Sequence, residues 1–136
     1  MLLTLIGLSL AAASPQSADA AVGRWKTETR GGIVEIQRCG ASICGRILTS
    51  DALRSNPNLK DAKNADAALR GRPLRGMRIL SGFTQSGSGW TGGKIYNAED
   101  GKTYDSDVTP SGADQLKVRG CVFKPFCKTQ IWTRVR

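Results

Sequence analysis

Asp105 and Asp107, two residues apart on one predicted strand, come closest to a catalytic pair. Glycoside hydrolysis uses two carboxylates that face one cleft, and alternate strand residues lie about 7 Å apart on one face. If Tyr104, Ser106 and Val108 point inward, alternation places both aspartates on the solvent side. The chain contains no histidine, which excludes Ser-His-Asp and Cys-His catalysis and histidine metal sites. The sequence therefore predicts a protein that is not an enzyme and has no catalytic residues.

Four cysteines could do redox or metal chemistry: Cys39, Cys44, Cys121 and Cys127. An even number in a small exported chain indicates disulfides. Of three possible pairings the local one is favoured, because each close pair flanks a predicted hairpin turn and can reach the Cα separation of roughly 4.4–6.8 Å that a disulfide needs. A four-cysteine zinc site is the alternative, disfavoured by its wide spacing and by an oxidising compartment. No C-x-x-C redox motif is present, and we expect no metal and no cofactor.

The N-terminal segment has the pattern of an export signal. Residues 2–13 form an apolar run of signal-peptide length, too short for a stable membrane anchor. Ala18-Asp19-Ala20 fits the small-x-small pattern before a cleavage site, so residues 1–20 are predicted to be a signal peptide and residues 21–136 the mature domain. No Lys or Arg precedes the run, and a short buried N-terminal helix or strand is the alternative. We expect a periplasmic or secreted protein.

The formal net charge of the chain is +9. Such a surface favours anionic partners: a membrane surface, an acidic envelope glycan or an anionic small molecule. Nucleic acid would also be attracted, but the chain lacks the stacking-aromatic motif of RNA-binding sheets, and we expect no nucleic-acid partner. The alternative is a basic solvated surface that only keeps the protein soluble.

Short alternating runs separated by Gly, Asn, Asp and Pro indicate an all-β domain. The predicted architecture is a single antiparallel up-and-down eight-stranded barrel, because closure removes exposed sheet edges. A filled sandwich is the alternative. A barrel of this strand number is either filled with side chains or holds one small ligand. The predicted strands are residues 23–29, 33–38, 43–49, 77–84, 89–96, 102–109, 114–121 and 127–135.

The connection at residues 50–75 is long for a compact domain, and such loops often carry function. Residues 61–70 permit a short helix with Gly71 as its stop, and Asp61 and Asn64 are interpreted as its caps. A basic loop over a barrel mouth would attract an anionic ligand or a membrane head group. The cations singled out in this basic loop are Arg70, Arg72 and Arg75.

Alternation along three of the predicted strands gives candidate ligand-binding residues of the barrel interior. An apolar lining with a few polar tips suits a small-molecule site. The same side chains would also make an ordinary packed core, and that alternative stays open. The candidates are Met77, Ile79, Phe83, Trp90, Tyr96 and Tyr104.

Gly23-Arg24-Trp25 opens the first predicted strand, and Arg134 lies near the end of the last. This arrangement resembles the lipocalin and avidin-like barrels, in which a Gly-x-Trp motif packs beside an arginine of the last strand. The resemblance implies that Trp25 closes the barrel floor, that Gly23 permits a bend and that Arg134 stacks on the indole. These three residues are then structural and do not bind ligand.

Seven motifs are spread along the predicted mature chain. They are Gly23-x-Trp25, Cys39-Gly40 with Cys44-Gly45-Arg46, Asp61-x-Lys63-Asn64, Arg72-Pro73-Leu74-x-Gly76, Gly93-x-Ile95-Tyr96-x4-Gly101-Lys102-x-Tyr104, Leu116-x-Val118-Arg119-Gly120 and Thr129-Gln130-x-Trp132-Thr133-Arg134. In this order they resemble a small exported bacterial family known as domain of unknown function 2147. The resemblance implies a lipocalin-like barrel in the bacterial envelope and brings no activity or catalytic residue with it.

The function that these observations favour is non-enzymatic. We expect an exported lipocalin-like protein that binds a small, partly apolar ligand, which the basic surface allows to be anionic. The alternative is a cell-envelope interaction module with a filled core, whose basic surface contacts membrane, glycan or a protein partner. The two differ in whether the barrel contains a cavity.

Overall fold

The computed structural model describes residues 17–136 together with Gly7. Apart from Gly7, the predicted apolar run lies outside the described residues, so the signal peptide stays a prediction. In the described part of the chain, no helix is long and apolar enough to cross a bilayer.

The described chain is built from nine strands that form one antiparallel sheet. Helical structure is limited to the short helix α1 (Asp51–Ser55) and two 3₁₀ turns, Ala18–Ala21 and Ala67–Leu69. The strands are β1 (Gly23–Lys26), β2 (Ile33–Cys39), β3 (Ser42–Thr49), β4 (Arg78–Ser81), β5 (Thr84–Ser86), β6 (Gly89–Asn97), β7 (Lys102–Pro110), β8 (Gln115–Phe123) and β9 (Phe126–Arg134).

The sheet closes into a barrel because its two sides pair with each other. Neighbouring strands follow the order β4-β3-β2-β1-β9-β8-β7-β6-β5, and β4 also pairs with β6. Closure leaves β1 bonded to β2 on one side and to β9 on the other, which satisfies the edges that an open sheet would expose. The predicted all-β, up-and-down barrel is therefore confirmed.

The fourth predicted strand is divided in two by a glycine. Gly82 has φ +77°, in the left-handed region that glycine adopts readily, and it separates β4 from β5. Leu80 pairs with Ile95 and Thr84 with Thr91, so both halves keep one register against β6. β4 and β5 thus act as one interrupted strand, and the barrel wall has eight strand positions, as predicted.

One end of the barrel is closed by the 3₁₀ turn Ala18–Ala21, which we call the floor turn. Trp25 and Trp90 are fully buried above it. The Trp25 Nε1 donates to the Ala21 carbonyl oxygen at 2.8 Å and the Trp90 Nε1 to that of Ala18 at 3.0 Å. Each indole therefore has its polar atom satisfied by the floor turn, as a buried tryptophan requires.

Arg134 holds the floor turn in place. Its guanidinium lies 4.3 Å from the centre of the Trp25 ring and donates to the carbonyl oxygens of Ala20 and Val22 at 2.7 and 3.1 Å. Gly23, with φ +140°, leaves room for it, because a Cβ there would collide with the guanidinium. The predicted cleavage after Ala20 would remove the Ala18 carbonyl that Trp90 uses and one of the two carbonyls that Arg134 uses, that of Ala20. That cleavage site stays a prediction.

Both predicted local disulfides are confirmed. Cys39 and Cys44 bridge the β2–β3 turn with Cα atoms 5.8 Å apart, and Cys121 and Cys127 bridge the β8–β9 hairpin at 4.0 Å. Among the described residues no cysteine is free. The two bridges lie at opposite ends of the barrel, because successive hairpins of an up-and-down topology alternate between its ends.

The long connection carries a short helix, as predicted, but at a different place. The helix is α1, where the Ser50 hydroxyl accepts the Leu53 amide at 3.1 Å, the bond expected of an N-cap. Residues 61–70 contain only the 3₁₀ turn Ala67–Leu69, which Asp66 caps. Asp61 and Asn64 therefore do not cap a helix, since hydrogen bonds to side chains outside the segment hold it in another shape.

Candidate ligand-binding cavity

A cavity of about 1450 Å³ lies in the half of the barrel opposite the floor turn and is widely open to solvent at that end. The packed core fills the half of the barrel next to the floor turn, where Trp25, Trp90 and Leu116 are fully buried. The lining of the other half is more apolar than polar and includes polar groups such as Thr27 and Gln130, while its branched aliphatic side chains favour an apolar ligand. Those contributed by the strands are Ile33, Val34, Ile47, Ile79, Ile95, Val118 and Val122.

The long connection forms one wall of the cavity mouth. Leu53 of α1, Leu59 and Leu74 add apolar surface, while Lys60 and Lys63 add positive charge. Lys60 and Pro73 form a bridge that ties the two arms of the connection together. The connection is therefore a fixed part of the cavity.

In the described chain, the lysines that line the cavity mouth are free of ion pairs, whereas the arginine there is paired. Arg30 is paired with Glu99 at 3.1 Å. Lys60, Lys63 and Lys128 also line the cavity, and within residues 17–136 none of them forms an ion pair. An anionic group at the mouth would meet these ammonium groups with no competing carboxylate bound to them.

Three of the six candidate interior residues line the cavity, namely Ile79, Tyr96 and Tyr104. A bulge where β4 meets β3 accounts for Ile79, because the register shifts between Gly45 and Arg46. Leu80 next to it is fully buried in the core. Both residues therefore face inward, although simple alternation allows only one of them to do so.

The structure places Met77, Phe83 and Trp90 away from the cavity. Met77 is buried just before β4, where its carbonyl oxygen accepts the Ile47 amide. The Phe83 ring packs against Gly93 in the core, in the space that a Cβ there would occupy. Trp90 belongs to the closed end. All three are packed within the protein, which is the alternative role that the sequence left open for the six candidates.

Asp61 is the centre of a hydrogen-bonded network that anchors the connection to the barrel. Its side chain is 1 % exposed. It accepts from the Tyr96 hydroxyl at 2.5 Å, from the Asn64 Nδ2 at 2.8 Å and from the Arg72 guanidinium at 3.1 Å. Tyr96 belongs to β6, so the network joins the connection to a barrel strand. A buried carboxylate is stable only with partners of this kind.

Two of the three arginines of the predicted basic loop contact other residues of the connection itself. Arg72 pairs with Asp61, and the Arg70 Nε donates to the Asn64 carbonyl oxygen at 2.8 Å. Arg75 is exposed, and none of the three arginines lines the main cavity. Gly101 completes the attachment, because at φ +72° it lies so close to the Lys63 backbone that a Cβ would collide with the Lys63 carbonyl oxygen.

The network sets the ionisation of two groups. Burial raises the pKa of the Asp61 carboxyl, but hydrogen bonds from Tyr96, Asn64 and Arg72 outweigh burial and hold that pKa below its ordinary value. Burial, and then the bond to Asp61, raises the pKa of Tyr96 to about 12. The network therefore keeps an ionised aspartate and a neutral tyrosine between mildly acidic and alkaline pH.

We expect the stabilisation that Asp61 provides to disappear in acid. A carboxyl whose folded-state pKa is depressed contributes fully above its unfolded pKa, about 4, and loses that contribution as pH falls through the folded value. The unfolding free energies of the wild type and of Asp61→Asn should differ by a constant amount near neutrality and converge below pH of about 4. Urea denaturation across pH checks this, and a difference independent of pH would contradict it.

Asp105 and Asp107 lie on the outer surface of the barrel. Asp105 pairs with Lys94, and Asp107 accepts the backbone amide of Gly92 at 3.2 Å. Ser106 between them is buried, and its hydroxyl has no hydrogen-bond partner in the described part of the chain. The two carboxylates therefore do not face the cavity.

Sequence reasoning left out much of the cavity wall. Ile33, Val34 and Ile47 belong to strands whose alternation was visible in the sequence. Gly120 lines the cavity from β8, but a glycine gives no hydrophobic signal. The leucines of the connection lie in an irregular segment, so no periodicity could identify them.

Comparisons with known proteins agree with this architecture. The structure is similar to that of protein HP1028 from the human pathogen Helicobacter pylori, which is described as belonging to the lipocalin family. The TM-score is 0.76 and the sequence identity 25%, over 85% of this chain and 82% of that chain. No curated protein sequence matches the chain.

The model of one bacterial family matches residues 23–134, from the first strand to the end of the last. That family is described as uncharacterised proteins conserved in bacteria. The match confirms the resemblance carried by the seven motifs, and the lipocalin-like barrel is the fold that they imply. The chain belongs to the DUF2147 family.

Proposed function

We propose that this protein is an exported, non-enzymatic carrier of a small apolar molecule with an anionic end, of the size and chemistry of a fatty acid. The observation that carries the proposal is the cavity of about 1450 Å³, aliphatic along its depth and bordered by lysines at its mouth. Lipocalin-like barrels of eight strands have room for one such ligand. The filled-core alternative has less support, because the half of the barrel near the mouth is not packed.

The polar groups of the cavity are arranged for an amphipathic ligand. Aliphatic residues such as Val118 and Ile95 lie deep in the cavity, next to the packed core, and give an alkyl chain the apolar surface that favours its burial. Lys60, Lys63 and Lys128 at the mouth can contact a carboxylate while it stays partly hydrated. Two disulfides support a location in the periplasm or the medium, where such bonds persist.

We expect Gly120→Leu to weaken ligand binding by about tenfold or more without unfolding the barrel. Gly120 lines the cavity, and a Cβ there would lie 3.7 Å from Ile95 and 3.9 Å from Tyr104, which is ordinary contact. A leucine can therefore be built without strain at its first atom, and its remaining atoms occupy the space that an alkyl chain needs. Titration with a soluble fluorescent fatty acid measures the affinity.

Gly71→Leu is the matched control, because a Cβ at Gly71 meets nothing within 4 Å and Gly71 does not line the cavity. This variant should bind as the wild type does. The acid should also bind more tightly than the alcohol of equal chain length, since only the acid meets the lysines as an anion. If neither compound binds, or if Gly120→Leu binds as tightly as Gly71→Leu, the carrier proposal is wrong.

A further inference from the structure

The hairpin between β8 and β9 ends in an exposed apolar surface, residues 122–126, which we call the apolar tip. Val122, Phe123 and Phe126 are 66%, 59% and 63% exposed. The two phenylalanine rings stack edge to face with their centres 4.9 Å apart. The only other exposed large apolar side chain in the described chain is Val135, which lies after the end of β9 and is just 37% exposed. The exposed apolar surface is thus concentrated at one place.

A disulfide braces the base of the apolar tip. The Cys121–Cys127 disulfide joins the two strands directly below it, which prevents the hairpin from opening at that point. Solvent-exposed aromatic rings are unfavourable in water, and a cluster of them on a braced protrusion indicates an interaction site. A protrusion, unlike a groove, fits a partner that can deform around it.

The charges around the apolar tip identify the partner. Lys124 lies within the tip, and Lys128 follows the disulfide on β9. The connecting segments at the closed end, residues 17–22, 40–41, 87–88 and 111–114, contain no lysine or arginine. The arginines that reach this end from elsewhere are engaged there: Arg38 pairs with Asp19, Arg136 pairs with Asp114, and Arg134 donates to carbonyl oxygens of the floor turn and Val22. The connecting segments at the mouth, residues 27–32, 50–77, 98–101 and 124–125, carry eight cations against six carboxylates. The cations are Arg30, Arg54, Lys60, Lys63, Arg70, Arg72, Arg75 and Lys124, and the carboxylates are Glu28, Asp51, Asp61, Asp66, Glu99 and Asp100.

The apolar tip is continuous with the cavity. Val122, Pro125 and Phe126 also line the cavity, so apolar surface extends from the tip into the barrel. A partner that covers the tip therefore lies against the mouth. A bilayer fits all three features, because it takes up aromatic side chains, attracts cations to anionic head groups and stores apolar molecules.

We propose that the apolar tip docks this protein onto a bilayer that contains anionic lipid. Phe123 and Phe126 enter the interfacial region, and Lys124 and Lys128 contact the head groups. The barrel then stands with its mouth towards the membrane and its floor turn away from it. This inference does not depend on the identity of the cavity's ligand.

Flotation of the full, oxidised protein with vesicles tests the proposal. With vesicles of phosphatidylglycerol and phosphatidylcholine, we expect the wild type to float and Phe123→Ser/Phe126→Ser to partition roughly tenfold or more weakly. The control Val135→Ser should float as the wild type does. Lys124→Gln should weaken binding to these vesicles and leave the weak binding to pure phosphatidylcholine unchanged. Lys117→Gln, an exposed lysine towards the other end of β8, is its matched control.

A fluorescence measurement locates the contact. The native tryptophans, Trp25, Trp90 and Trp132, are buried, so their emission should not change when vesicles are added, and the wild type provides the baseline for a tryptophan placed at the tip. Emission of Phe123→Trp should shift to the blue on addition of the anionic vesicles and be quenched by brominated lipid, whereas Val135→Trp should show neither change. If the wild type does not float, or if the double variant floats equally well, the proposal is overturned and a protein partner becomes the better explanation for the tip.

The carrier proposal and the docking proposal can be tested separately. Phe123 does not line the cavity, so Phe123→Ser should bind a soluble fluorescent fatty acid as the wild type does when no vesicles are present. Loss of flotation with intact titration places the defect in docking. Loss of titration in the wild type leaves the flotation result standing and removes only the carrier proposal.

Discussion

Trp25→Ala is expected to lower the free energy of unfolding by about 3–5 kcal/mol, as truncation of a buried large aromatic side chain does. The indole is fully buried, and its removal leaves a cavity that β1 and the floor turn cannot fill. Two polar contacts are lost with it. The Ala21 carbonyl oxygen loses its donor, and the Arg134 guanidinium loses the ring on which it lies.

Denaturation in urea measures this effect, with Trp25→Phe and Val135→Ala beside it. The phenylalanine keeps an aromatic ring over the floor turn and loses the Nε1 donor, so its stability should fall between those of the wild type and the alanine variant. Val135 is partly exposed, and its truncation should cost little. Normal stability of Trp25→Ala would refute the role of Trp25 in closing the barrel.

The second large effect is expected at Asp61. Asp61→Ala should lower the free energy of unfolding by about 2–4 kcal/mol, because it leaves the buried Asn64 amide and the Tyr96 hydroxyl without their acceptor. Arg72 can turn towards solvent, which keeps the loss below the upper range for a broken buried ion pair. The connection should also become accessible to proteases, since it loses its attachment to β6.

Asp66→Ala is the control for this change. Asp66 lies on the same connection, but its carboxylate accepts only the Ala68 amide at 3.0 Å and its side chain is exposed. Its loss should cost roughly 0.5–1 kcal/mol, as loss of a helix cap does. Equal stability of the two variants would show that the Asp61 network does not anchor the connection. Limited proteolysis between residues 50 and 77 gives a second, local readout.

The regular part of the barrel could be predicted because its cause is local. Alternation of apolar and polar side chains predicted all eight barrel strands. The turns between them, one containing Gly40 and one containing Pro125, predicted the hairpins that the two disulfides bridge. Where the backbone departs from regular pleating, alternation failed. The bulge at Ile79 and the positive φ of Gly82 shifted which residues face inward, and neither leaves a clear mark on the sequence.

The connection and the apolar tip were missed for a different reason. Residues 61–70 look helical from their alanines, but the bonds that decide their shape come from Tyr96, a residue far along the chain. Local propensity cannot register such a contact. Val122 and Phe126 fall between the predicted strands 114–121 and 127–135, in a turn for which alternation gives no expectation of burial or exposure. Their exposure follows only from the position of the hairpin beyond the barrel wall.

Closure by β1 and β9 has a consequence for how the chain reaches its native state. The first strand bonds to the last, and Arg134, on that last strand, holds the floor turn. A chain emerging in sequence order can form its hairpins one after another, but the seam closes only when β9 arrives. Until then β1 presents an unsatisfied edge to any other extended chain. We therefore expect the nascent protein to depend on protection from aggregation until its last strand is available.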